Sequence, residues 1–173
     1  DHLRYLNEQM RPLLEGMGFT CQILPNTKLD RIPALYAERI EGNNLPTILT
    51  YGHGDVLWGM GGDWKEDRSP WDATLAGDRI YGRGIVDNKG QHTINLAALR
   101  IVLAERGRLG FNVKVLIEMG EESGSPGLAE MAEDHKELLA ADVLIASDGP
   151  RVSTHTPTVF LGARGGHGFH LIC

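Results

Sequence analysis

Three short apolar runs in this sequence each stop at side chains that can hold a metal. Ile48-Leu49-Thr50-Tyr51 passes through Gly52 into His53 and Asp55. Val113 to Ile117 leads to Glu121 and Glu122, and Asp142-Val143-Leu144-Ile145-Ala146 leads to Asp148. Apolar, β-branched runs of this length with glycine near their ends read as buried strands. Helical periodicity over Thr93 to Glu105 separates the first run from the second, and over Leu128 to Ala140 the second from the third. Strands alternating with helices in this way pair in parallel through crossovers. The carboxyl ends of parallel strands meet at one sheet edge, where ligands bind. The pattern therefore predicts an α/β fold with one histidine and several carboxylates converging. Asp87, in the glycine-rich stretch Gly82 to Gly90 just before a helix, is a fourth candidate contributor.

Carboxylates a few ångströms apart repel, and without a cation some must stay protonated. A divalent ion removes that conflict. Imidazole with carboxylates suits zinc, with manganese or cobalt as substitutes. The number of carboxylates predicts two ions roughly 3.5–4 Å apart that share one carboxylate. Each residue also has an ordinary reading when taken alone. Asp87 reads as a helix N-cap, Glu121-Glu122 as an acidic first turn, Asp148-Gly149 as a plain turn and His53 as a loop histidine. Coincidence at matching strand ends is what favours the common site.

The rest of the chain fits one domain of 173 residues. His2 to Met17 reads as a helix with a possible kink at Pro12, Phe19 to Leu24 and Ala34 to Ile40 as strands, and Thr158 to Leu161 as a further strand. Phe169 to Cys173 begins another. Residues 56–78 lack a clean period and hold Trp58, Trp64 and Trp71, which read equally as cover for the core edge or as a substrate-facing wall. A net charge of −6 and the lack of a Lys/Arg block argue against nucleic acid. No apolar run reaches membrane-span length. Cys21 and Cys173 read as reduced thiols, and a cytoplasmic location is the expectation.

Four segments recur together: Tyr51-Gly52-His53-Gly54-Asp55-Val56, Gly82-Arg83-Gly84 running into Asp87-Asn88-Lys89-Gly90, Glu121-Glu122-Ser123-Gly124-Ser125, and Ser147-Asp148. In order and spacing the set resembles the di-zinc metallopeptidase family of carnosinase, aminoacylase, acetylornithine deacetylase and succinyl-diaminopimelate desuccinylase, and most of all its carnosinase-like dipeptidases. The resemblance implies a three-layer α/β sandwich around a largely parallel mixed sheet. It implies that His53 and Asp148 bind one zinc, Glu122 binds the other and Asp87 bridges both. Asp55 would orient His53, and Glu121 would be the general base. The implied substrate is a small peptide or an N-acyl amino acid, cleaved by a metal-activated water. A non-catalytic metal-dependent binding module on the same fold is the alternative, and the presence of Glu121 argues against it. By the same resemblance, residues 1–161 form the catalytic domain and residues 162–173 begin a lid through which such enzymes dimerise. The crossing falls at Arg164-Gly165. The last histidine ligand is expected beyond Cys173, which would leave this chain alone a weak single-metal binder without turnover. His155, His167 and His170 are expected to be surface or lid histidines.

Overall fold

The computed structural model describes residues 2–65, 68–162 and 165. His167, His170, Cys173, the crossing at Arg164 and the strand expected from Phe169 lie outside the described residues. The chain opens with α1 (His2–Tyr5), a π-helical turn (Leu6–Met10) and α2 (Arg11–Glu15). Strands β1 (Thr20–Leu24), β2 (Ala34–Arg39) and β3 (Thr47–His53) follow. A small hairpin of β4 (Thr74–Ala76) and β5 (Arg79–Tyr81) precedes α3 (Lys89–Arg106) and β6 (Asn112–Glu118). Then come α4 (Leu128–Asp134), α5 (Lys136–Leu139) and β7 (Val143–Ala146).

The main sheet has the order β1-β2-β6-β3-β7. Strands β6, β3 and β7 are parallel, β2 is antiparallel to β6 and β1 is antiparallel to β2, so β2 alone opposes the common direction. Alternate residues of each strand face opposite sides. Val113, Val115 and Ile117 of β6, with Leu35 and Ala37 of β2, pack against Leu6, Met10 and Leu14 of the first helical segment and Leu96 of α3. Leu116 and Tyr36 face the other way, towards Met131 of α4 and Leu138 and Leu139 of α5. Helices thus cover both faces, and the molecule is the expected three-layer sandwich. The β3-to-β6 connection crosses one face with α3, and the β6-to-β7 connection crosses the other with α4 and α5. This brings the carboxyl ends of β6, β3 and β7 side by side.

Several local expectations are refined. The opening helix contains a π-turn in which the Arg11 N–H donates to the Leu6 carbonyl, and Pro12 begins the next α-turn, where its missing N–H costs little. Strand β3 continues through Gly52 and ends on His53 itself. Helix α3 starts at Lys89, a turn earlier than its apolar period, and stops at Gly107, whose φ is 69°. The helix over Leu128 to Ala140 is broken at His135.

One expectation is overturned. Thr158 to Leu161 is not a strand, and beyond Ala146 the described chain has only an isolated bridge between Ser153 and Thr156. Leu161 is 98% exposed. Alternating apolar residues become a strand only where a neighbouring edge takes up their backbone bonds, and no such edge lies beside them among the described residues.

Candidate metal centre

The site is assembled at the end of β3. Gly52 lets α3 come close: a Cβ there would sit 2.8 Å from His92 Cβ and 2.9 Å from Asn88 Oδ1. His53 follows and is fully buried. Its Nε2 lies 2.9 Å from Asp87 Oδ1, 3.6 Å from Asp148 Oδ2 and 3.7 Å from Glu121 Oε2. Its Nδ1 lies 3.3 Å from Asp55 Oδ1 and 3.2 Å from the Asp55 carbonyl. One imidazole edge therefore faces the carboxylate cluster, and the other is held by Asp55.

One potential ligand atom from each of His53, Asp87 and Asp148 lies within 4.8 Å of the others. An imidazole nitrogen and two carboxylates, contributed by the end of β3, the loop before α3 and the loop after β7, are the donor set a divalent ion takes. Nε2 is the face left for the ion while Asp55 keeps Nδ1–H, the tautomer in which histidine ligates. The residues present thus fit a cation. Glu122 stands outside this three-residue group. Its backbone N–H donates to Asp55 Oδ2 at 3.0 Å, and that of Glu121 donates to Asp55 Oδ1 at 3.2 Å. Asp55 thus orients His53 and ties down the Glu121-Glu122 turn. Glu122 and Asp55 line a hollow of about 180 Å³ together with Trp58.

The electrostatics follow from this crowding. Burial disfavours an imidazolium at His53, but Asp55, Asp148 and Asp87 outweigh it and raise the pKa to about 9. In the ion-free chain the proton on His53 balances the carboxylates. Burial, and then Asp148, Glu122 and Asp87, raise the Glu121 pKa above the usual carboxylate value, against the pull of His53. Asp55 is desolvated, yet its hydrogen bonds from His53 and the Glu122 N–H hold its pKa below the usual value.

Sequence reasoning missed the support behind these groups. Asn88 is fully buried and caps α3. Burial, with Lys89 and His53 nearby, pushes the His92 pKa down to about 4, so this histidine is neutral. Its Nδ1–H donates to Asn88 Oδ1 at 3.0 Å, and its Nε2 accepts from the Tyr5 hydroxyl at 2.7 Å. Lys89 donates to the Gly54 carbonyl and sits 4.4 Å from the Tyr5 ring centre. Glu118 Oε1 accepts from Tyr51 at 2.6 Å and from Ser125 at 2.7 Å, which joins β3 to the Glu121-Glu122 loop. The signal for Asn88, Lys89 and His92 was polarity at the start of a helix behind a glycine-rich loop. Trp58, 85% exposed, does not cover the core edge, and His155 is exposed and outside the metal-compatible group.

The model of peptidase family M20/M25/M40 matches residues 49–166. A cysteinylglycine-S-conjugate dipeptidase of Corynebacterium striatum is 38% identical over 123 residues, spanning 70% of this chain and 26% of the relative. The crystal structure of human carnosine dipeptidase 1 superposes with a TM-score of 0.77 at 28% identity, over 87% of this chain and 34% of that one. A metallo-carboxypeptidase of Sulfolobus solfataricus gives a TM-score of 0.70 at 38% identity, over 83% of this chain and 31% of its own. The chain thus spans about a third or less of the length of these relatives.

Proposed function

Because the chain belongs to peptidase family M20/M25/M40, we propose that it carries the metal-binding part of a di-zinc hydrolase that cleaves an amide bond in a dipeptide-like substrate. The observation that carries this reading is the meeting of His53, Asp87, Asp148 and Glu121 at one sheet edge. Two dipeptidases and a metallo-carboxypeptidase among its relatives favour a peptide, and succinyl-diaminopimelate desuccinylases among them keep an N-acyl amino acid as the second substrate class. In this reading His53, Asp87 and Asp148 hold one ion, and Asp87 with Glu122 contributes to a second. Manganese or cobalt can stand in for zinc. Residues 1–161 belong to the catalytic domain, and a lid that dimerises begins at 162–173.

When bound, a divalent ion supplies Lewis acidity and acidifies water at neutral pH. The chain's own residues do the rest. Asp55 keeps the Nδ1–H of His53 and so fixes its ring. Glu121 takes the proton from the attacking water and returns it to the leaving amine, a task suited by its raised pKa. Trp58 is placed to wall the substrate side.

In the full-length protein, Glu121→Gln is expected to lower turnover by about 10²–10⁴-fold, the usual worth of a general base. Its zinc content, measured by elemental analysis, should stay near wild type, whereas Glu122→Gln should lose zinc as well as rate. Equal zinc loss in both would mean that the roles are misassigned. Zinc binding without dipeptide or N-acyl amino acid hydrolysis by the wild type would point instead to a binding module. The chain alone should take up one ion, and His53→Ala should abolish that uptake in a calorimetric titration.

A further inference from the structure

We propose that Asn88 is the positioning residue that sets the distances among His53, Asp87 and Asp148. The inference rests on the metal centre proposed above. Asn88 is fully buried, and all of its amide capacity is used. Its Oδ1 accepts from the backbone N–H of His53 at 3.2 Å and from His92 Nδ1–H at 3.0 Å. Its Nδ2 donates to the Ser147 carbonyl at 2.6 Å and to Gln91 Oε1 at 2.7 Å. A backbone N–H can only donate and a carbonyl can only accept, so these partners fix which end of the amide is which.

The connections single this residue out. Asn88 is bonded directly to His53, is covalently joined to Asp87 and binds the residue immediately before Asp148. Other nearby supports do not join His53 to the Asp148 segment. Gln91 donates to the Gly149 carbonyl at 3.2 Å, Asn95 donates to Ser147 Oγ at 2.8 Å, and the Asp55 carboxylate reaches His53 and the Glu121 turn. Beyond the last ladder pair, Tyr51 with Ala146, the Asn88 amide hydrogen-bonds both to the end of β3 and to the residue before Asp148. His92, itself bonded to Tyr5, backs it from within α3. The hub thus extends to the first helical segment of the chain.

Cobalt(II) is the probe, because its visible absorption reports coordination geometry. The wild-type chain should show a saturable cobalt site that His53→Ala removes. Its absence would defeat the metal-centre reading and the positioning role with it, whereas the Asn88 variants below test the positioning role alone. Given that site, Asn88→Ala is expected to bind cobalt about 10–100-fold more weakly, the usual cost of removing a group that orients ligands. Its spectrum at saturation should also change, which general destabilisation would not cause. Asn88→Asp keeps both acceptor contacts and loses the donations to Ser147 and Gln91, so its affinity should fall between the two. Wild-type affinity and spectrum in folded Asn88→Ala would overturn the proposal. If that variant does not fold, the same result in Asn88→Asp would overturn it.

Discussion

At the scale of single residues, His53 decides how the site responds to pH. Its folded pKa of about 9 lies above the ordinary 6.5. The stabilisation from its charged form is therefore complete below about pH 6.5 and is lost as pH rises towards 9. The ion-free chain should melt at progressively lower temperature across that window. Zinc must displace the same proton, so its affinity should move oppositely and rise about tenfold per pH unit over the window. Parallel melting curves and zinc titrations at several pH values check both signs, and a pH-independent zinc affinity would remove His53 as a ligand. The proposed ligands stood out in the sequence because His53 and Asp148 fall at or just after strand ends and Asp87 lies in a glycine-rich loop before a helix. The hub at Asn88 was not, because its Ser147 partner is 59 positions away and is brought near only by the sheet order.

At the scale of elements, the start of α3 is the most constrained junction. The Gly90 N–H donates to the Gly84 carbonyl at 3.2 Å, and a Cβ at Gly90 would overlap the Ile85 carbonyl. Gly90→Ala should therefore push the Gly82–Gly90 stretch away from α3 and carry Asp87 and Asn88 with it. We expect a lower melting temperature and weaker cobalt binding in this variant, whereas Gly61→Ala, where nothing lies within 4 Å of a Cβ, should match wild type in both assays. Strands and helices with many apolar positions were readable to within a few residues. Strand β4, within the tryptophan stretch, was not readable, because Thr74–Ala76 is short and mostly exposed. Thr158 to Leu161 carries a strand-like pattern without a partner, so local preference alone misled.

At the scale of the whole molecule, the site sits where the two faces of the sandwich meet. Helix α3 reaches it from one side, and the loop leading to α4 and α5 from the other. The three layers were expected from the family resemblance, and the structure shows the apolar residues of β6 split between the two cores. Strand β7 differs from β3 beside it: all four of its residues are exposed, and among the described residues it pairs only with β3. Asp148 hangs from this weakly held strand, while His53 hangs from the strand beside it. For the proposed centre, we expect a brief lifting of β7 to withdraw Asp148 while His53 and Asp87 keep their places, so a bound ion's residence time should follow the opening frequency of this strand and not global unfolding. Amide hydrogen exchange should run faster in β7 than in β6, and bound zinc should slow it most at Leu144 and Ala146. Equal protection of the two strands would mean that the ion leaves by another route.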